Sequence, residues 1–113
     1  MAKCIFCEIA QKKIETKIIF EDEELIAFYD VSPQAPIHFL VIPKCHIESA
    51  AQANSGNVQL FGHIFEVIAK ISGELQMQKG FRIVTNSGEL GGQTVSHLHF
   101  HILGGRQLMW PPG

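Results

Sequence analysis

His97-Leu98-His99-Phe100-His101-Ile102-Leu103 alternates histidine with an apolar residue over six positions and closes on a second apolar residue. Successive side chains of a strand point to opposite faces. The stretch, with Ser96 before it, therefore predicts a fifth and last strand over 96–103, with Leu98, Phe100 and Ile102 in the core and His97, His99 and His101 sharing the other face. Half of the six histidines in the chain then line one side of one segment. An ordinary core or surface histidine accounts for any one of them; three in strict alternation fit that account poorly.

Outward from this row the chain reads as one α+β domain over residues 1–113, with an antiparallel sheet. Residues 86–94, Asn-Ser-Gly-Glu-Leu-Gly-Gly-Gln-Thr, form a glycine-rich connection from a fourth strand at 81–85. Before that strand, Leu60, Phe61, Ile64, Phe65, Ile68, Ile71 and Leu75 make an apolar stripe. It predicts a long helix over 58–77, N-capped by Asn57 and ended by Gly80. Strands are expected at 17–20, 25–29 and 37–42, the first two joined by the acidic turn 21–24, the third preceded by a loop between Pro33 and Pro36. Ile5, Phe6 and Ile9 predict a short amphipathic helix over 5–12.

The 113 residues, 46% hydrophobic and 18% charged, suit a single soluble globular domain. A net charge of -2 offers no basic footprint for nucleic acid or an anionic membrane, while a phosphate-bearing small molecule needs only local positive potential. No apolar run approaches the roughly 18 residues of a membrane span. The start, Met1-Ala2-Lys3-Cys4, lacks the apolar core of a signal peptide, so a cytoplasmic location is expected. Three cysteines, two of them as Cys4-x-x-Cys7, point to thiols or metal ligands rather than a disulfide framework. Cys45 fits no ligand pattern and is expected to be a partly buried thiol.

Two chemistries compete for the histidine row. Alternate strand residues lie roughly 6.5–7 Å apart, which puts His97 and His101 about 13 Å apart. With Zn–N bonds of about 2.0–2.1 Å, one metal cannot readily gather all three rings. The alternative is nucleophilic attack on phosphorus. Imidazole has an unperturbed pKa of about 6.5 and is largely neutral at pH 7, and neighbouring rings can stabilise phosphate oxygens. The preceding loop, whose glycines let backbone N–H groups approach a phosphate, is not a Walker loop, lacking the Gly-Lys-Ser/Thr ending.

These residues resemble the histidine-triad (HIT) superfamily, whose signature is His-φ-His-φ-His-φ-φ with φ apolar, matched in full from His97 to Leu103. Further stretches resemble its Hint branch of purine nucleoside phosphoramidases: residues 30–36, 38–44, 91–94 and 104–107, and the tail from Trp110 to Gly113. The resemblance implies a HIT-like fold, a five-stranded antiparallel sheet with one long and one or two short helices, dimerising into a ten-stranded sheet with the long helix at the interface. Trp110 would then reach toward the partner's active site.

The resemblance makes His99 the nucleophile that takes the nucleoside phosphate. His101 would contact that phosphate, and His38 and His97 would complete the hydrogen-bonded set. Asp30 would bind the ribose hydroxyls. Ile5, Phe6, Ile9, Phe28, Val31 and Leu40 would form the apolar slot for the base, although side chains of these types are as readily plain core. Asn86, Gly92, Gln93 and Thr94 would surround the phosphate. The expected reaction is cleavage of a nucleoside 5′-phosphoramidate or acyl-adenylate, through a nucleotidyl-histidine and without a catalytic cofactor. A dinucleotide polyphosphate hydrolase of the same superfamily, or a nucleotide-binding scaffold with vestigial catalysis, is the alternative.

Cys4-x-x-Cys7 has the spacing of half a tetrahedral zinc site. The resemblance supplies the other half. Some bacterial histidine-triad proteins hold structural zinc through such a pair, the histidine of a Lys-x-His-Ile segment and the first triad histidine, here Cys4, Cys7, His46 and His97. Two reduced thiols packed beside the first helix are the alternative, and the zinc and catalytic readings compete for His97.

Overall fold

β2 (Leu25–Tyr29) and β3 (Ile37–Pro43) are buried on both faces, which explains why they read as continuous apolar runs. The computed structural model describes residues 4–113. The expectation drawn from residues 1–3 lies outside them. β1 (Ile18–Glu21), β4 (Phe81–Val84) and β5 (Phe100–Gly104) complete a five-stranded sheet in the order β1-β2-β3-β5-β4, with every neighbouring pair antiparallel. The predicted α+β class with an antiparallel sheet is therefore the architecture found.

The sheet carries a cluster on each face. On one, Leu25, Ala27, Phe39, Val41, Leu98, Phe100 and Ile102 pack with Ile64, Val67, Ile68 and Ile71 of the long helix α2 (Val58–Glu74). Those helical positions are spaced by three, one and three, one stripe of a helix. On the other face, Ile26, Phe28, Leu40 and Ile42 pack with Phe6 and Ile9 of the short helix α1 (Ile5–Ala10). His38 alternates with Phe39, and His101 with Phe100 and Ile102, so both histidines stand on the α1 face.

Four expectations need correction. β5 begins at Phe100, not Ser96, because the Leu98 amide donates to the Ile47 carbonyl at 2.6 Å, outside the sheet ladder. The core alternation survives: Leu98, Phe100 and Ile102 are all buried. α2 ends at Glu74, well before Gly80. Its close is a Schellman motif, with Met77 N–H on the Ser72 carbonyl and Gln76 N–H on the Gly73 carbonyl, and Gln76 takes the left-handed position at φ 58°. Asn57 does precede the helix, but its side chain caps nothing there. It bonds instead to the Asn54 amide and the Gln52 carbonyl. Cys45 is exposed. In addition α1 stops at Ala10, and Phe65, on the predicted stripe, is half-exposed and rests edge-on against Phe100. Among the described residues no helix is long and apolar enough to cross a membrane.

Candidate active site

His97 and His99 are each fixed by a backbone carbonyl and His101 by the His38 ring, and the partner dictates where each ring carries its proton. His99 Nδ1 lies 2.7 Å from the His97 carbonyl oxygen. A carbonyl only accepts, so the proton sits on Nδ1 and Nε2 keeps its lone pair. The His99 carbonyl in turn accepts from the Thr85 hydroxyl at 2.8 Å. Phe6 meets the His99 ring edge-to-face, with centroids 4.9 Å apart, and fixes it from the α1 side.

The second pair is wired in the opposite sense. The Gln34 amide donates to His38 Nδ1 at 3.0 Å, which obliges a neutral His38 to carry its proton on Nε2. That N–H faces His101 Nδ1 at 2.9 Å, so His101 accepts there and presents an Nε2–H of its own. Asp30 Oδ2 stands 3.5 Å from His38 Nε2, while its Oδ1 accepts from the Ser32 amide at 2.7 Å. Burial, with the neighbouring His99 and His38, pushes His101 down to about 4, and burial lowers His38 against the opposing pull of Asp30. Both rings are therefore neutral at pH 7. The set offers one unprotonated nitrogen, on His99, beside one N–H donor, on His101.

His97 stands apart from this pair. Its Nε2 lies 2.9 Å from the Pro43 carbonyl, so the proton sits there and Nδ1 is free. That Nδ1 is 3.3 Å from Cys4 Sγ and 3.5 Å from Cys7 Sγ, and Cys7 Sγ is 3.3 Å from His46 Nδ1. All four donor atoms lie within 4.8 Å of one another. A tetrahedron with Zn–S of about 2.3 Å and Zn–N of about 2.05 Å has an N···S edge of about 3.5 Å, so the donor set fits that ion. Burial and the adjacent Cys4 raise the Cys7 thiol to about 11, a shift that a bound cation would reverse. Asp30, His38 and His101 also lie within 4.8 Å of one another. Tautomer chemistry argues against a metal there: with Nδ1 accepting the Gln34 N–H, His38 would have to become an imidazolate to give Nε2 to an ion.

The remaining expected residues are less evenly gathered. Phe6, Ile9, Phe28 and Leu40 form one buried cluster on the histidine face; Ile5, half-exposed, and Val31, 95% exposed, pack on neither cluster. Asn86 is half-buried and Thr94 exposed on the loop before the triad. Gly92 takes φ 87°, a conformation few other residues adopt, and a Cβ at Gly91 would meet the Ser87 carbonyl at 2.5 Å. The Gln93 amide is already engaged. It accepts from Gly88 N–H at 2.8 Å and donates to the Glu48 and Val95 carbonyls at 2.6 and 2.9 Å, so it ties the loop to the body of the domain. Trp110 is exposed on the tail.

Sequence reasoning missed Gln34, Thr85, Pro43 and Arg106 as contributors. Arg106 Nη2 donates to the Gln34 carbonyl at 2.9 Å and so steadies the amide that sets His38. Gln34 and Pro43 act through main-chain atoms, which residue type does not announce, while Thr85 and Arg106 bond to the carbonyls of residues distant in sequence.

Comparison with known proteins agrees with this geometry. The HIT domain family model matches residues 11–108. An uncharacterized HIT-like protein of Synechococcus elongatus is 46% identical over 109 residues, 96% of each chain. The crystal structure of a HIT family hydrolase from Legionella pneumophila superposes with a TM-score of 0.96 at 43% identity, covering 98% of this chain and all of that one. A histidine triad nucleotide-binding protein from Candida albicans gives a TM-score of 0.81 at 27% identity, over 96% of this chain and 83% of the other. With its histidine row, its five-stranded sheet and these matches along nearly its whole length, the chain belongs to the HIT domain family.

Proposed function

We propose that this protein hydrolyses purine nucleoside 5′-phosphoramidates and related acyl-adenylates by way of a nucleotidyl-histidine on His99. The observation that carries the reading is the opposed wiring of the two imidazoles: a lone pair on His99 Nε2 beside an N–H on His101 Nε2. His99 Nε2 bonds to phosphorus as the bond to the leaving amine breaks. His101, held by His38, hydrogen-bonds a phosphate oxygen and disperses the charge gathering there. Water then attacks phosphorus and the bond to His99 breaks. One water is consumed overall, its hydroxyl ending on phosphorus and its other hydrogen on the amine. Support also comes from the hydrolase and nucleotide-binding relatives named above. Phe6, Ile9, Phe28 and Leu40 would receive the base, and Asp30 the ribose.

Cys4, Cys7, His46 and His97 would hold a structural zinc ion, which would clamp α1 to the triad segment without entering the chemistry. We also infer a homodimer joined through β4, an edge strand, and α2, whose Val58 and Phe65 are 56% and 49% exposed. A single mass of one chain in light scattering at micromolar concentration would contradict the dimer.

The test is AMP release from adenosine 5′-phosphoramidate by the wild type and by His99→Ala, each with and without chelator. Release that survives chelation and falls by about 10³-fold or more in the variant supports the reading. A folded wild type that binds AMP but releases none would make the protein a nucleotide-binding module.

A further inference from the structure

The short helix α1 closes on a lysine where helices commonly close on glycine. Lys12 takes φ 61°, one of two non-glycine residues at positive φ among the described residues. The close is of the Schellman type, with Lys13 N–H on the Glu8 carbonyl and Lys12 N–H on the Ile9 carbonyl, both at 2.9 Å. Glycine takes that conformation without strain, whereas a side chain there costs free energy that a contact elsewhere must offset.

The contact is a tie to the sheet. Lys12 Nζ lies 2.8 Å from Glu21 Oε1, and Lys44 Nζ lies 2.7 Å from Glu21 Oε2. Glu21 ends β1 and pairs across the ladder with Ile26, so the two side chains share a face of the sheet. That face is the one on which α1 rests, because Ile26 packs in the cluster with Phe6 and Ile9. Lys44 directly follows β3, and its amide donates to the Glu24 carbonyl at 2.7 Å. One carboxylate thus joins the end of α1 to the ends of two strands. The two ammonium groups hold the Glu21 carboxyl below the usual carboxylate range, so it is ionised at pH 7. A lone exposed ion pair would restrain little; a half-buried carboxylate shared by two cations forms a small network.

Building on the base slot proposed above, we infer that Glu21 is a positioning residue for nucleotide binding: through Lys12 it holds the last turn of α1 on the sheet and so keeps Ile9 in the slot. Ile9 stands three residues before Lys12 and is buried in the cluster with Phe28 and Leu40. The other end of α1 is tied separately, by Cys4 and Cys7 against His97. Glu21, Lys12 and Lys44 lie outside the histidine set, so their effect falls on the grip for the base and not on phosphorus. A grip felt equally in the ground and transition states sets KM and leaves kcat alone.

The experiment measures KM and kcat for adenosine 5′-phosphoramidate, the AMP Kd by calorimetry, and Tm, all on the full-length protein. Lys12→Gly relieves the backbone and Lys12→Met keeps its strain, but both remove the ammonium group. Both should raise KM and the AMP Kd alike, by about threefold to fivefold, with kcat within about twofold of wild type. Lys12→Arg, which keeps the cation, should stay near wild type. Glu21→Gln, which releases both lysines, should raise KM at least as far as Lys12→Gly. A purely structural role for Lys12 predicts instead that Lys12→Gly matches or exceeds wild type in Tm and loses no affinity. Unchanged KM and Kd in Lys12→Gly, a loss confined to kcat, or an equal loss in Lys12→Arg would each overturn the inference while leaving the base slot standing. A wild type that neither binds AMP nor releases it would overturn the base slot, and the role of Glu21 with it. Where the wild type binds AMP without turnover, the Kd series alone decides.

Discussion

His97 spends its Nε2–H on Pro43, His99 spends its Nδ1–H on the His97 carbonyl, and His38 uses Nδ1 to accept the Gln34 amide. These three commitments divide like side chains into a metal-ligand candidate, a nucleophile candidate and an orienting group, and none can change without breaking a backbone bond. They also fix a pH dependence. His101, at about 4, and His38, lowered by burial, bind protons less readily in the folded chain than the usual 6.5 of the unfolded one. Between about pH 6.5 and 4 the unfolded state therefore holds more protons, and stability rises with pH across that window. The contribution is complete above about 6.5 and is lost as pH falls toward 4. Turnover needs the same neutral rings, so its acid limb should lie below pH 6.5. Measuring kcat and the urea midpoint together from pH 4.5 to 8 checks both. An acid limb centred above 6.5 would mean that the His38–His101 pair is not the group being titrated.

At the scale of elements, α2 is fastened to the turn between β1 and β2 by His63, whose Nε2 lies 2.6 Å from Asp22 Oδ2. Asp22 Oδ1 meanwhile accepts from the Glu24 and Leu25 amides, both at 2.8 Å, and so shapes the turn it anchors. The Asp22 carboxylate, helped by Glu66, raises His63 above its usual range. Its sign is opposite to that of the triad: the added stability is complete below about pH 6.5 and fades as pH rises through the raised value. Both side chains are about a third exposed, which screens the pair. His63→Ala should therefore cost only about 0.5–1 kcal/mol at pH 6, and less at pH 8.5, in paired urea melts. Equal losses at the two pH values would show that His63 contributes packing alone. Elements of this kind were legible where periodicity carried them, as in Ile64, Ile68 and Ile71 or in Leu98, Phe100 and Ile102. Their ends were less so. A left-handed helix close is usually written as glycine or asparagine, and here Gln76 takes it, so Gly80 drew the eye instead. The alternation of the histidine row was read correctly as two faces but wrongly as strand throughout. The Leu98 amide leaves the ladder for Ile47, a long-range bond with no local signature. The triad itself was visible; the Gln34 amide and Arg106 that hold His38 were not, because one acts by a main-chain N–H and the other at a distance of 72 residues.

For the whole molecule, the question is what keeps α1 seated. Six residues are too few for a helix to persist alone in water, and only Phe6 and Ile9 of α1 are buried. Yet Phe6 touches Phe28, His97 and His99, so the proposed base slot and the proposed nucleophile share a wall with this marginal element. The cysteines lie at its start and within its first turn, and their partners come from elsewhere: His46 after β3 and His97 before β5. An ion in that cluster would replace a weak helix by a cross-link among three distant parts of the chain, and its binding free energy would add to folding free energy. Chelation of the purified protein should then lower Tm by about 10 °C or more, a shift of roughly 2–3 kcal/mol for a domain of this size. Cys7→Ser should start near the chelated value and respond no further to chelator, while metal analysis of the wild type gives one zinc per chain. Turnover at 20 °C should change far less, because Thr85 and the His97 backbone hold His99 without the ion. If Tm is the same with and without chelator, the thiols are merely packed beside α1, and Phe6, Ile9 and the facing sheet residues must seat the helix without an ion.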